Sequence, residues 1–253
     1  MHSAAFNREV AEVKEQYVAD ISDYRKYALL RALSAEGDHK IGVCWMLTPD
    51  DRGPDGMKLE YLSRPDQFRQ HDPVLFDHLR MVVVGSPRRS LEAIEQARVI
   101  AEAKYFNMVL PDDKNGRQAY WANCEKRFAD RDLVFFDPDN GLEGSLPRGR
   151  KNSSKFLYLD ETVSFFEAGK SLLIYQHFPR VQRDAFIERC RQRLCSTVAA
   201  DEVWAYRTKH VVFLLVIHPQ HRPTLGSLAQ AVSRRFDPEF VEGYRLDKKR
   251  SAI

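Results

Sequence analysis

Two carboxylates, an amide and a glycine crowd into Asp137-Pro138-Asp139-Asn140-Gly141. A carboxylate beside a proline carbonyl can accept hydrogen bonds from an amino group and aim its lone pair at an electrophile. An Asp-x-Asp pair, joined by Glu143 or Asp160, can instead give hard oxygen ligands to Mg²⁺, with His177 or Lys209 assisting phosphate transfer. The same residues also suit a hydrated turn that caps a strand. His177 belongs with them, because it closes a second apolar run, Ser171–Tyr175, as Asp137 closes the first.

These residues need elements to hold them. Leu133–Phe136 is short, β-branched and aromatic, the pattern of a strand buried on both faces in a parallel sheet. Pro138 cannot donate to a ladder and keeps Asp137 extended, so the strand ends there, where open α/β sheets bind ligands. Ile41–Leu47 reads as another buried strand, and Met81–Val84 as a strand ending in Gly85-Ser86-Pro87. Lys58–Leu62 reads as a short strand. Ser90–Lys104, Asn115–Ala129, Asp160–Gly169, Val181–Leu194 and Thr224–Phe236 have helical patterns. Val198–Tyr206 and Val211–His218 are separated by only Arg207–His210, too short for a parallel crossover, so they must pair antiparallel.

Near the start, Phe6–Gln16 is a charged helical pattern. A further helix begins about Tyr24, with Ser22 or Asp23 as its cap and Lys26 in its first turns, and could hold an anion or a polar substrate edge. Arg88 and Arg89 stand before a helix, where a guanidinium can meet phosphate. Arg148, Arg150, Lys151 and Lys155 cluster in the polar loop after the acidic turn. With Arg180 after His177, Arg148, Arg150 and Lys151 are the candidate substrate contacts.

The chain has 253 residues, 43% hydrophobic and 30% charged, with a net charge of +3. That suits one α/β domain with an N-terminal helical extension (about 1–36) and a loop insertion near 48–73. Cys44, Cys124, Cys190 and Cys195 lack metal-like spacing and are expected to be reduced thiols. The polar stretch Met1–Glu15 predicts no secretory leader, and no apolar run approaches the ~20 residues of a membrane span, so a cytoplasmic location is expected.

A parallel sheet closed by a late antiparallel hairpin resembles the plan of class I S-adenosylmethionine-dependent methyltransferases, a Rossmann-like α/β fold. Asp137-Pro138-Asp139-Asn140 resembles their Asp-Pro-Pro-Tyr motif in its first two positions and departs in the last two. The chain is similar in more places to bacterial 23S ribosomal RNA adenine-N6 methyltransferases. Ile21-Ser22-Asp23-Tyr24-Arg25-Lys26-Tyr27 looks like their N-terminal helix start in its Asp and Lys spacing, and Gly85-Ser86-Pro87 matches a Gly-Ser-Pro turn. This resemblance implies methyl transfer from S-adenosylmethionine to an amino nitrogen of nucleic acid, in RNA or DNA. It makes Asp23, Tyr24, Lys26, Thr48, Gly85 and Ser86 candidate cofactor contacts, and Asp137, Pro138, Asp139, Asn140 and His177 candidate catalytic residues. Thr48-Pro49-Asp50 stands where the family has a glycine-rich turn, and Asn140 where an aromatic residue stacks on a flipped base. The alternatives are a Mg²⁺-dependent nuclease or phosphodiesterase using Asp137 and Asp139, and a non-catalytic nucleic-acid-binding protein with a degenerate methyltransferase fold.

Overall fold

The computed structural model describes residues 18–49, 58–85 and 90–246. Along these, α1 (Ile21–Ser34) leads into β1 (Ile41–Cys44). Three helices follow, α2 (Pro65–Phe68), α3 (Pro73–Gly85) and α4 (Leu91–Gln96), and then β2 (Lys104–Phe106). Next come α5 (Lys114–Arg127), β3 (Leu133–Phe136), the two-residue strands β4 (Gly141–Leu142) and β5 (Phe156–Leu157), and α6 (Val163–Glu167). The remainder is β6 (Ser171–His177), α7 (Arg183–Val198), β7 (Glu202–Arg207), β8 (Val211–Ile217), α8 (Ser227–Val232) and β9 (Glu242–Leu246).

The described strands build a seven-stranded sheet in the order β2-β1-β3-β6-β8-β7-β9. β2, β1, β3 and β6 are mutually parallel. β8 then runs against β6, and β7 and β9 continue antiparallel. β3 is an interior strand between β1 and β6, and its side chains divide between two cores. Leu133 and Phe135 join the face built with α1, α3, α4 and α8. Val134 and Phe136 join the face built with α5, α6 and α7. All four have zero exposure, so this apolar run without alternation is a strand covered on both sides. Burying either phenylalanine contributes about 1.5–3 kcal/mol.

Several expectations are corrected. The segment 81–84 is no strand. Asp72 accepts from Leu75 N at 3.0 Å, Pro73 occupies the first turn, and the helix started there runs through Gly85. Leu75, Phe76 and Leu79 face the core at helical spacing, while Met81 and Val84 are 70% and 82% exposed. Burial at a 3.6-residue period overrides the β-propensity of the valines. Lys58–Leu62 is likewise no strand, since Glu60–Ser63 is a 3₁₀ turn. The helix expected over 90–104 stops at Gln96, and the chain emerges into β2, a strand the sequence reading missed.

The hairpin is antiparallel as expected, but the sheet is evenly mixed and the hairpin is not its edge. β8 is inserted beside β6, and β9 pairs with β7 outside it. β7 begins at Glu202 because α7 continues to Val198. The expected final helix is shorter, Ser227–Val232, after a π-helical turn. α1 packs into the core, with Tyr24, Tyr27, Leu29, Leu30 and Leu33 all fully buried. The charged pattern at 6–16, Ser86, Pro87, Arg88 and Arg89 lie outside the described residues. Cys44, Cys124 and Cys190 are buried free thiols and Cys195 is half-buried. Among the described residues no helix is long and apolar enough to cross a membrane.

Candidate functional site

The carboxyl ends of β1, β3 and β6 converge with the start of α1 around one ammonium group. The chain turns into α1 at Asp20, whose carboxylate accepts from Ser22 N at 2.7 Å and Asp23 N at 2.9 Å. Asp20 is therefore the cap, rather than Ser22 or Asp23. This frees Asp23 to turn inward, where it accepts from Ala19 N at 3.2 Å and from the Tyr27 hydroxyl at 3.0 Å. One turn on, Lys26 Nζ donates to Asp23 at 3.0 Å and to Asp137 Oδ2 at 2.7 Å. The Trp45 and Tyr175 rings flank the ammonium at 5.8 and 5.5 Å.

The electrostatics follow from burial and this pairing. Burial pushes the Asp137 carboxyl up to about 6 against the opposing pull of Lys26, with Asp23 and Asp139 adding to the rise. Burial also works against the Lys26 ammonium, but Asp137 and Asp23 outweigh it and hold the amine protonated. Asp20 rises to about 6, first by burial and then by Asp23. The second oxygen of Asp137, Oδ1, is given no hydrogen-bond donor by the described residues.

A scaffold holds the rest of the acidic turn. Asp137 N donates to Cys44 O at 3.1 Å and so extends the ladder one residue past β3. Pro138 is buried, Asp139 is half-buried and Asn140 is exposed. Thr48 Oγ1 donates to Asp139 at 2.9 Å, which brings the end of β1 to the turn. Gln176, buried near the end of β6, accepts from Leu142 N at 2.7 Å and donates to the Asn140 and His177 carbonyls. Gly141 has φ +92°, and a Cβ there would collide with the Gln176 amide. Gly141→Ala is therefore expected to cost about 1–3 kcal/mol and to loosen the turn. An unchanged urea midpoint would contradict that placement.

The remaining predicted residues disperse. His177 stands at the end of β6, with Nε2 3.0 Å from the Tyr175 hydroxyl; its pKa is lowered, first by desolvation of the ring, with Asp139 opposing. Tyr24 is in the core, stacked on Tyr61 and donating to Phe68 O at 2.8 Å. Gly85 ends a helix, so no strand-end turn forms there. Arg148 pairs with Asp160 and covers the Tyr158 ring. Arg150 and Lys151 are exposed on the same loop. That loop is anchored: buried Arg117 holds Glu161 and donates to the Ser153 and Phe156 carbonyls, and Asp112 accepts from Asn152 N and Ser154 N. Arg180 lies in a separate recess beside Phe178.

The metal alternative finds little purchase in this donor set. Among the described residues no group of three or more His, Cys, Asp or Glu side chains is arranged to hold an ion. Asp137 is held by Lys26, Glu143 by Arg193 at 2.5 Å, and Asp160 by Arg148.

Sequence reasoning missed Asp20, Trp45, Tyr175 and Gln176. Asp20 had a signal, since an Asp immediately before a helical period is a capping pattern. Gln176 had a weaker one, a polar residue inside an apolar strand.

No family model matches the chain, and no curated protein matches its sequence. Its shape is similar to the crystal structure of protein LPL1258 from Legionella pneumophila str. Philadelphia 1, described under the family designation DUF519. The likeness covers 93% of this chain and 98% of that one, at 12% sequence identity and a TM-score of 0.43. Similarity of that degree leaves function to be argued from the chain itself.

Proposed function

We propose that this protein is an S-adenosylmethionine-dependent methyltransferase-like protein acting on an amino nitrogen of nucleic acid. The observation that carries the reading is Asp137-Pro138 at the carboxyl end of the interior strand β3, with one carboxylate oxygen fixed by Lys26 and the other given no donor by the described residues. The sheet supports it. A first strand with parallel neighbours on both sides, and a reversed strand inserted before the penultimate one, resemble the Rossmann-like methyltransferase plan.

The methyl donor fits unevenly. The amine-binding half matches, but the backbone after β1 offers no glycine. Trp45 is 4% exposed and stacked on Tyr105 at 5.9 Å, and Met46 takes a left-handed φ of +47°. The side chains at these two positions occupy ground that a glycine-rich turn would leave open to a cofactor. When bound, the donor would supply an electrophilic methyl group.

What the chain's own residues do is bind and orient. Asp137 Oδ1 accepts a hydrogen bond from the substrate N–H₂, and Lys26 keeps the carboxylate ionised and fixes its rotamer. Pro138 holds the carboxylate at the strand end. The nitrogen lone pair is thereby directed without strong acid–base chemistry.

Trp45 and Met46 also favour a second reading, a nucleic-acid-binding protein on a degenerate methyltransferase fold. Calorimetric titration of the purified protein with S-adenosylmethionine separates the two. Saturable binding is expected under the first reading. Absence of heat at millimolar donor, from protein with an intact melting transition, would leave only the second.

A further inference from the structure

The turn joining β7 to β8 reaches the same end of the strands as the acidic site, because His177 pairs with Val211 and Phe178 N donates to His210 O at 3.0 Å. Around it lies a groove of about 690 Å³. Arg25 of α1, Lys58, Arg183 at the start of α7, Lys209 and His210 line it. A second recess of about 500 Å³ shares Arg183, Lys209 and His210 and adds Arg180. Together they form one basic track.

Several cations elsewhere in the chain are committed to carboxylates. Lys26, Lys104, Arg117, Arg131, Arg148 and Arg191 are each paired with a carboxylate. Among the described residues, no ion pair engages Lys58, Arg180, Arg183 or Lys209, and all four are exposed. Arg25 donates only weakly to Glu239 O, at 3.3 Å, and its Nε is buried without a partner. Two carboxylates also line the groove, but Glu242 is taken by Arg207 at 2.6 Å, leaving Glu239. His210 registers the convergence. After burial, the groups that lower its pKa are Lys58, Lys209, Arg183 and Arg25. Like charges gathered in a concave surface repel one another, and a bound polyanion relieves that repulsion.

We infer that this track binds the phosphodiester backbone of a nucleic-acid strand and leads it past His177 toward Asp137. The inference rests on the reading above only in taking that strand as substrate. A concave track with cations along its length matches a strand threaded through it. A flat or convex basic face would match an anionic membrane surface instead.

The test is fluorescence anisotropy of the full chain with labelled single-stranded RNA and DNA oligonucleotides, across a salt series. With about four phosphate contacts, log K should fall against log[salt] with a slope of roughly −3. The double variant Lys58→Gln/Lys209→Gln should bind roughly tenfold or more weakly, and its slope should shrink by about 1.4. Lys114→Gln/Lys126→Gln, with the same charge change on exposed positions of α5, should bind as the parent does. Asp137→Asn should also keep strand affinity, so failure of methyl transfer and failure of the track are read separately. No binding of either strand would overturn the inference, as would equal loss in the α5 variant or an unchanged Lys58→Gln/Lys209→Gln. Binding to phosphatidylserine vesicles in place of oligonucleotides would overturn it too.

Discussion

Replacing Lys26 with Met is expected to lower the free energy of unfolding by about 3–5 kcal/mol at pH 8. Met keeps much of the apolar stem but removes the ammonium, leaving the Asp23 and Asp137 carboxylates facing each other in a site where the side chains are only 5% and 14% exposed. For a chain of this size that is a fall in Tm of roughly 6–20 °C. The effect should depend on pH in a definite direction. In the parent, burial already raises Asp137 to about 6 in spite of Lys26, and without Lys26 the folded value moves higher. The unfolded carboxyl titrates near 3.9, so over the window between the two values the folded state binds the extra proton and stability falls as pH rises. The variant should therefore be nearer to the parent at pH 5 than at pH 8. Unfolding curves at both values check this. An equal deficit at both pH values would mean that the ammonium serves as packing rather than as counter-charge.

The second large effect is on activity. Asp137→Ala removes both acceptor oxygens and should lower methyl transfer by about 10²-fold or more, the usual cost of losing orientation at the reacting centre. Asp137→Asn keeps one acceptor and should stay within about tenfold, since the proposed role needs a hydrogen-bond acceptor and not a base. Lys26 retains Asp23 at 3.0 Å in both variants, which limits the damage to the fold, and melting curves would confirm it. Parent-level transfer by Asp137→Ala would remove the residue from the mechanism and leave it as the anchor of α1 to β3. In the Mg²⁺ alternative the ordering differs, because a neutral amide is a poor ligand and both variants should be inactive.

Strand β3 and its abrupt end were legible because their signals are local. Leu133–Phe136 is an apolar run followed by a proline and a turn, and no tertiary context was needed to place Asp137 at a strand end. The antiparallel pairing of β7 with β8 was equally local, set by the length of the turn. Local pattern misled at Met81–Val84, where β-branched residues favour a strand. The tertiary structure decided for a helix, because only helical spacing puts Leu75, Phe76 and Leu79 into the core together. Edge strand β9 and the insertion of β8 next to β6 depend on pairing between distant segments, which no window of sequence contains.

The candidate site divides in the same way. The sequence by itself placed Asp23 and Lys26 one helical turn apart and singled out Asp137 as a strand-end carboxylate. That Lys26 crosses 111 positions of chain to pair with Asp137 was decided by α1 packing over the ends of β1 and β3. The same holds for the basic track. Arg25, Lys58, Arg183 and Lys209 are unremarkable in their own segments. They acquire a shared field only when a helix start, a loop, a second helix start and a hairpin turn meet at one end of the strands, since charge adds through space and not along the chain.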